Sequence, residues 1–315
     1  MKSAVTLWGA GRFSAALVSC LCYKKNQIYV WTREKSSSSC SASLSSFLVS
    51  LRSAAESSKI WIFCVPAQAL RCCLRRIKES TPVHPRVIVL ACKGIETCTG
   101  YLMSEIVEQF FPSVSQVVIA GPNFASELLA QHLSGITCAT YCKQSFREVS
   151  ELFDGSCVRI EYSSSMHSIS AWGALKNIAA LGAGLLAQVT CSKNTQATYL
   201  SQAFSQSAQW ISAHIPDHNK SGTSMSALTY GGIGDFFMTC TSEASRNFSY
   251  GKHFGDESCT KTLDLTEGIA SLGGVLLRNE RYCIELNFAK AIEKILQKRV
   301  HKKDWIQVLL NIGTV

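Results

Sequence analysis

AVTLWGAGRFSAALVSCLCYKKNQIYVWT, residues 4–32, decides the fold. Ala4 to Trp8 is a short apolar run, Gly9-Ala10-Gly11 turns the chain, Phe13 to Leu21 follows with helical spacing, and Ile28 to Thr32 reads as a second strand. Strand, glycine turn, helix and strand within about 30 residues make one βαβ unit. A G-x-G at the carboxyl end of the first strand gives a tight turn there. It also leaves the N-terminus of the next helix free to take a pyrophosphate on its backbone N–H groups. The third glycine of that fingerprint falls at Ser14, a residue still small enough for close helix–strand packing. The motif is weakened rather than lost, and an ordinary glycine turn stays open as the plain alternative. Beyond the second strand an acidic residue would bond a ribose 2′-OH, whereas arginine accommodates a 2′-phosphate. Here Arg33 precedes Glu34, which favours NADP without excluding NAD.

Working outward, Lys59 to Val65 is a strand ended by Pro66, and Ala67 to Glu79 is a basic helix. Strand Val87 to Cys92, helix Tyr101 to Phe110 and strand Gln116 to Ala120 come next, with Ser134 to Tyr141 and Val158 to Tyr162 as final strands. The serine-rich span 36–58 opens as loop with SSSSCSAS, and Leu44 to Ala55 could form a helix. Alternating strands and helices imply a doubly wound α/β sheet of Rossmann type, mostly parallel at its start. After Tyr162 the patterns are helical to the end, broken by Pro216 and by Gly231 to Gly234. We expect a dinucleotide-binding domain over residues 1–163 and an all-helical substrate domain over 164–315, which suits a chain of 315 residues at about 100 to 200 residues per domain.

Hydrophobic residues at 47% are ample for two cores, and charged residues are only 17%. The net charge of +9 favours anionic ligands without choosing among phosphate esters, nucleic acid and a membrane surface. Fifteen cysteines make an odd number in a chain far longer than disulfide scaffolds, with no C-x-x-C, so we read them as small buried hydrophobes of a reducing cytoplasm and expect no metal site. Residues 2–22 look like a signal peptide, but Gly9 to Arg12 interrupts the apolar core and a strand pattern follows directly. No run reaches about 18 uninterrupted apolar residues, so no membrane span is expected.

SAWGALKNIAALGAGLLA, residues 170–187, holds a single charge, Lys176. An ammonium in such surroundings costs several kcal/mol unless it is partnered. Lys176 is therefore either a group kept for chemistry or a lysine snorkelling from a helix flank. Lys93-Gly94 and Gly121-Pro122-Asn123-Phe124-Ala125 each follow a strand, at the sheet edge where wound folds bind ligands, and Asn123 could cap the next helix. In TYGGIGDFFMTCTSEASRNFSYG, residues 229–251, a helix opened by Asp235 would carry Thr239 one turn on along the same face. Ser245-Arg246-Asn247 offers a guanidinium fork beside hydroxyl and amide donors, the set a phosphate dianion needs. A glycine-rich loop with a surface salt bridge remains the alternative for that stretch.

The succession GAG, CKGIETCTG, GPNFASELL, GALKNIAALGAG, GGIGDFFMTCTSEASRNFSYG and TEGI resembles NAD(P)-dependent glycerol-3-phosphate dehydrogenase of the bacterial type over nearly the whole chain. That resemblance implies interconversion of dihydroxyacetone phosphate and sn-glycerol 3-phosphate, a phospholipid precursor, by a cytoplasmic enzyme. It implies Lys176 as acid/base with Lys93 and Asp235, a substrate set of Lys93, Gly121, Asn123, Lys176, Asn177, Asp235, Thr239, Ser245, Arg246 and Asn247, and NAD(P)H, with NADPH preferred, held by Gly9, Gly11, Arg12, Phe13, Arg33, Lys93, Ala125, Arg246 and Glu267. Lys93 is expected to lower the Lys176 pKa by like-charge repulsion. A homodimer stands among the open oligomeric states.

Four places depart from the family pattern. Ser14 replaces a glycine, Asn123 stands where Ser or Thr is usual, and the span from Arg33 to Lys59 looks short. The stretch after the catalytic helix reads Ala187-Gln188, Ser192-Lys193-Asn194-Thr195 and Ser201-Gln202-Ala203-Phe204, with an arginine lost. Those departures keep a non-catalytic, dinucleotide-binding relative in view as the alternative. A reductase of another small 2-keto acid is disfavoured by the SRN motif. Nucleic-acid binding through Arg71 to Lys78 and Lys294 to Lys303 lacks any accompanying motif, so we expect none.

Overall fold

The computed structural model describes residues 3–24, 26–33, 42–215, 225–256, 266–282 and 286–310. Strand β1 (Ala4–Trp8) leads through Gly9 into helix α1 (Arg12–Leu21) and then β2 (Gln27–Trp31). Helices α2 (Leu51–Glu56), α3 (Leu70–Ser80) and α4 (Met103–Phe110) alternate with β3 (Ile60–Phe63) and β4 (Val87–Leu90). Strands β5 (Ser115–Ala120), β6 (Ser134–Ala139) and β7 (Val158–Ser163) are separated by α5 (Ala125–Leu129) and α6 (Lys143–Ser150). The order across the sheet is β2-β1-β3-β4-β5-β6-β7. Every neighbouring pair is parallel except β5 and β6. This is the wound α/β sheet that the sequence implies, with one antiparallel step.

Strands β3 and β4, IWIF and VIVL, are buried at every position, as expected of parallel strands covered on both faces. One face packs Leu7, Ile62 and Val89 against Leu17 and Leu21 of α1. On the other face Trp8 stacks on Phe63 at 5.9 Å and meets Trp61 edge-on at 5.3 Å. This aromatic layer belongs to the same buried cluster as Met166, Ile169 and Trp172 of α7 (Met166–Ala187). The long helix therefore runs from the sheet into the helical half of the molecule.

That half comprises α7, α8 (Lys193–His214), α9 (Asp235–Thr241), α10 (Arg246–Lys252), α11 (Glu267–Tyr282), α12 (Asn287–Leu296) and α13 (Trp305–Leu309) among the described residues. Glycine lets backbones touch where α7 crosses α10. A Cβ on Gly184 would lie 2.1 Å from the Phe248 carbonyl oxygen, and one on Gly251 would lie 2.2 Å from that of Leu181. By length and composition α7 could cross a bilayer, although Lys176 interrupts its apolar run, and its spanning window is wholly buried inside the protein.

Several expectations need correction. The helix expected over Leu44 to Ala55 is confined to Leu51–Glu56, after a 3-10 turn at Ala42–Phe47. Between them Val49 N–H donates to the Val30 carbonyl at 3.0 Å, so pairing along β2 outweighs helical propensity there. The loop expected over 36–41, Glu34 and Pro216 lie outside the described residues. Cysteines are not uniformly buried: Cys20, Cys73, Cys92, Cys138 and Cys240 are, whereas Cys22, Cys72, Cys98 and Cys191 are exposed. Residues 188–206, where the sequence departs from the family pattern, form ordered structure. Gln188 Nε2 donates to the Gly251 and Phe254 carbonyls at 2.8 and 3.0 Å, and Phe204 stacks on Trp172 at 4.8 Å.

Candidate active site

Lys176 lies in the middle of α7, ten residues from its start, so it cannot snorkel from a helix end. It is buried, and every residue from Ser168 to Leu186 around it is buried too. Asp235, the first residue of α9, partners it: Lys176 Nζ donates to Asp235 Oδ1 at 2.6 Å and to Thr239 Oγ1 at 2.9 Å. Thr239 Oγ1 in turn donates to Asp235 Oδ1 at 3.3 Å, an i,i+4 contact that fixes the carboxylate's rotamer. The second oxygen, Oδ2, accepts from Lys93 Nζ at 2.7 Å. Lys93 sits just beyond β4, and its ammonium also reaches the Gly121 carbonyl beyond β5 at 3.4 Å. Gly173, one of the small residues expected to allow close approach to this helix, makes room for it, because a Cβ there would stand 3.3 Å from Lys93 Cβ and Cγ. A small residue one turn before a buried lysine was the available signal.

Two ammonium groups thus share one carboxylate that is 0% exposed, and the cluster keeps one net positive charge. Burial lowers the Lys176 pKa to about 8, while Asp235 raises it and Lys93 lowers it further. The depression was expected, but its largest cause is desolvation rather than repulsion by Lys93. For Asp235 burial works upward, yet the two lysines outweigh it and hold the carboxyl below its ordinary value. The result is an acid close to neutral pH beside a second, fixed positive charge.

Other residues named from the sequence surround this cluster. Asn247 Nδ2 donates to Asn177 Oδ1 at 3.0 Å and Asn247 Oδ1 accepts from Gly268 N–H at 2.9 Å, tying α7, α10 and α11 together. Ser245 caps α10, its Oγ accepting from Phe248 N–H at 3.3 Å. Arg246 opens α10 with an exposed side chain, close enough to Glu267 to lower that residue's pKa against the larger upward effect of burial. Glu267 opens α11, and its Oε1 accepts from Ala67 N–H at 3.1 Å while Oε2 is buried with no hydrogen bond among the described residues. Asn123 is not a helix cap. Phe124 holds that position, and the Asn123 amide donates across to Ser134 Oγ at 2.7 Å and to the Gly135 carbonyl at 2.8 Å. Ala125 follows as the first residue of α5.

The glycine turn after β1 leads into the N-terminus of α1. Gly9 has φ of +113°, and a Cβ there would lie 2.8 Å from the Cys64 carbonyl oxygen, so only glycine lets β1 turn against β3. Gly11 precedes α1 and offers no side-chain cap, and no atom stands within 4 Å of where its Cβ would be. The first turn of this ten-residue helix has no side-chain cap and carries the exposed Arg12 and half-buried Phe13. That geometry fits a dinucleotide's pyrophosphate. Ser14 is buried under the turn, as the close helix–strand packing requires. Arg33 stands exposed beyond β2. Among the described residues no group of His, Cys, Asp and Glu is arranged to hold a metal ion.

Comparison with known proteins gives a consistent picture. Residues 4–146 match the family model described as the N-terminus of NAD-dependent glycerol-3-phosphate dehydrogenase, and residues 166–307 match the model of its C-terminus. The chain is 26% identical over 98% of its length, and 94% of the relative's, to the glycerol-3-phosphate dehydrogenase [NAD(P)+] of Teredinibacter turnerae. A shorter alignment to the enzyme of the same name from Neorickettsia sennetsu reaches 32% identity over 61% of this chain and 55% of that protein. The crystal structure of glycerol-3-phosphate dehydrogenase from Coxiella burnetii superposes with a TM-score of 0.86 at 21% identity, covering 98% of this chain and 99% of that one.

Proposed function

The chain belongs to the NAD-dependent glycerol-3-phosphate dehydrogenase family, and from that premise we propose how its residues divide the work of reducing a phosphorylated ketone. It is an NAD(P)-dependent oxidoreductase that converts dihydroxyacetone phosphate to sn-glycerol 3-phosphate, with the non-catalytic alternative disfavoured. The observation that carries our reading is the triad of buried Lys176 and Asp235 with half-buried Lys93 at the carboxyl edge of the sheet.

The reduced nicotinamide, when bound, supplies a hydride to the carbonyl carbon of the substrate. Negative charge then grows on the carbonyl oxygen, and Lys176 Nζ gives that oxygen a proton. Its pKa of about 8 leaves it mostly charged at neutral pH and yet acidic enough to transfer the proton, a contribution of about 100- to 10,000-fold. Lys93, bonded to Asp235 Oδ2 at 2.7 Å, attracts the developing oxyanion. Asp235 and Thr239 orient Lys176 before and after transfer. Arg246 and Ser245 take the substrate phosphate, with Asn177 and Asn247 fixing the helix junction beneath it and Gly121 and Asn123 lining the approach from the sheet.

On the nucleotide side Gly9, Gly11, Arg12 and Phe13 receive the pyrophosphate. Arg33 takes the 2′-phosphate and makes NADPH the preferred form, while Ala125, Arg246, Lys93 and Glu267 border the nicotinamide. We place the boundary between nucleotide and substrate domains at 163/164, between the end of β7 and the start of α7. The enzyme works in the cytoplasm on a small phosphorylated substrate, with no nucleic-acid partner and no membrane span, and a homodimer is its proposed assembly. Loss of nicotinamide absorbance on mixing the protein with NADPH and dihydroxyacetone phosphate is the expected result. Nucleotide binding without that loss would instead support the non-catalytic reading, and a higher kcat/KM with NADH would overturn the assignment of Arg33.

A further inference from the structure

Asp235 can bridge two lysines only if the turn that delivers it is held still. Residues Tyr230–Gly234 form a single π-helical turn directly ahead of α9. Its first N–H groups have no partner inside a helix, and they are met from the sheet. Thr137 of β6 and Glu161 of β7 are register partners, so their side chains stand side by side on one face. Thr137 Oγ1 donates to Glu161 Oε1 at 2.5 Å and accepts from Gly231 N–H at 2.7 Å. Tyr230 N–H donates to the same Glu161 oxygen at 2.5 Å. Packing closes around these bonds: a Cβ on Gly231 would stand 3.0 Å from Ala120 Cβ, and one on Gly135 would lie 2.7 Å from the Tyr230 ring. Carboxylate acceptors of backbone N–H groups are the stronger kind of hydrogen bond.

We propose that Glu161, acting with Thr137, is a positioning residue for the reduction: it clamps the Tyr230–Gly234 turn to the sheet and so sets Asp235 between Lys93 and Lys176. The proposal rests on the reading of Lys176 as the proton donor. The ionisable groups acting on Lys176 are Lys93 from beyond β4, and Asp235 and Cys240 from α9, of which the Cys240 thiol is held neutral by burial. If the clamp is released, Asp235 no longer holds its place, Lys176 loses the attraction that raises its pKa, and repulsion by Lys93 remains.

The test compares Glu161→Ala with Glu161→Gln, which keeps an acceptor oxygen. Glu161→Ala is expected to lower kcat about 10- to 100-fold, the scale of small misplacements at a reacting centre, with the KM for NADPH little changed. In reduction Lys176 must start protonated, so the high-pH fall in kcat should begin at a lower pH in Glu161→Ala. Glu161→Gln should recover most of the rate and return that fall to its original pH. If Glu161→Ala does not fold, Thr137→Val against Thr137→Ser asks the same question, with only the serine expected to restore both rate and profile. A high-pH fall that Glu161→Ala or Thr137→Val leaves in place overturns the positioning role. So do equal losses in Glu161→Ala and Glu161→Gln with an unmoved profile. A wild-type profile with no such fall overturns the reading of Lys176 and the proposal with it.

Discussion

Replacing Lys176 with methionine isolates the proton donor, because the structure shows what the change leaves behind. Methionine fills much of the lysine's apolar stem within α7 and carries no charge. Asp235 keeps Lys93 on Oδ2 at 2.7 Å and Thr239 on Oδ1 at 3.3 Å, so no buried carboxylate is left bare, the event that costs about 3–5 kcal/mol in other buried pairs. The fold should therefore survive. Turnover loses its general acid, worth about 100- to 10,000-fold, which raises the barrier by about 2.7–5.4 kcal/mol. It also loses one of the two positive charges facing the oxyanion, so we expect kcat to fall at least about 1,000-fold. The nucleotide cradle at Gly9 and Gly11 lies on β1 and the start of α1, so the Kd for NADPH, read by titrating its fluorescence, should change little. Stopped-flow absorbance with saturating dihydroxyacetone phosphate measures the single-turnover rate. A rate within tenfold of wild type, with nucleotide binding intact, would refute the assignment.

Three other perturbations follow from the same geometry. With the Lys176 pKa near 8, kcat for reduction should fall as pH rises through that value, while the reverse oxidation, which needs the neutral amine, should rise over the same interval. Steady-state profiles in both directions check the opposite signs. Gly184→Ala puts a Cβ 2.1 Å from the Phe248 carbonyl oxygen and should cost about 1–3 kcal/mol by overpacking the α7–α10 crossing, seen as a lower Tm in thermal melts. Arg246→Ala should raise the KM for dihydroxyacetone phosphate by about tenfold or more, the scale of losing one charge-assisted contact, and impair slow reduction of unphosphorylated dihydroxyacetone far less; an equal loss with both substrates would count against a phosphate role.

The βαβ start, the succession of strands along the chain and the helical second half were all legible, because apolar periodicity and glycine turns act locally. Lys176 was legible as an expensive charge, and Asp235 and Thr239 as an i,i+4 pair. That one carboxylate would hold a different lysine on each oxygen was not, since Lys93 and Asp235 are separated by 142 positions. Asn123 misled for a physical reason: asparagine before a helix is a good cap, but Ser134 and Gly135 of the neighbouring strand offered its amide better partners. Leu48 and Val49 fit a helical pattern and pair instead along β2, a contact only the assembled sheet provides. Glu161 gave no signal at all, being one acidic residue in a strand whose partners come from a distant turn.

The aromatic layer of Trp8, Trp61 and Phe63 belongs to the same buried cluster as Trp172 and Ile178 of α7, and this has a consequence for how the molecule comes apart. A polypeptide ending at Ser163 would keep the first half's own cover on those rings, such as Phe111 edge-on to Trp61, but would bare the faces of β5 and α4 on which α7 packs. Such a fragment should precipitate or bind hydrophobic dyes rather than behave as a free-standing nucleotide binder. Heating the intact protein should melt both halves in a single calorimetric transition. Ribosomal synthesis faces the same constraint, since the first half emerges before its cover and must wait, half finished, for α7 to arrive.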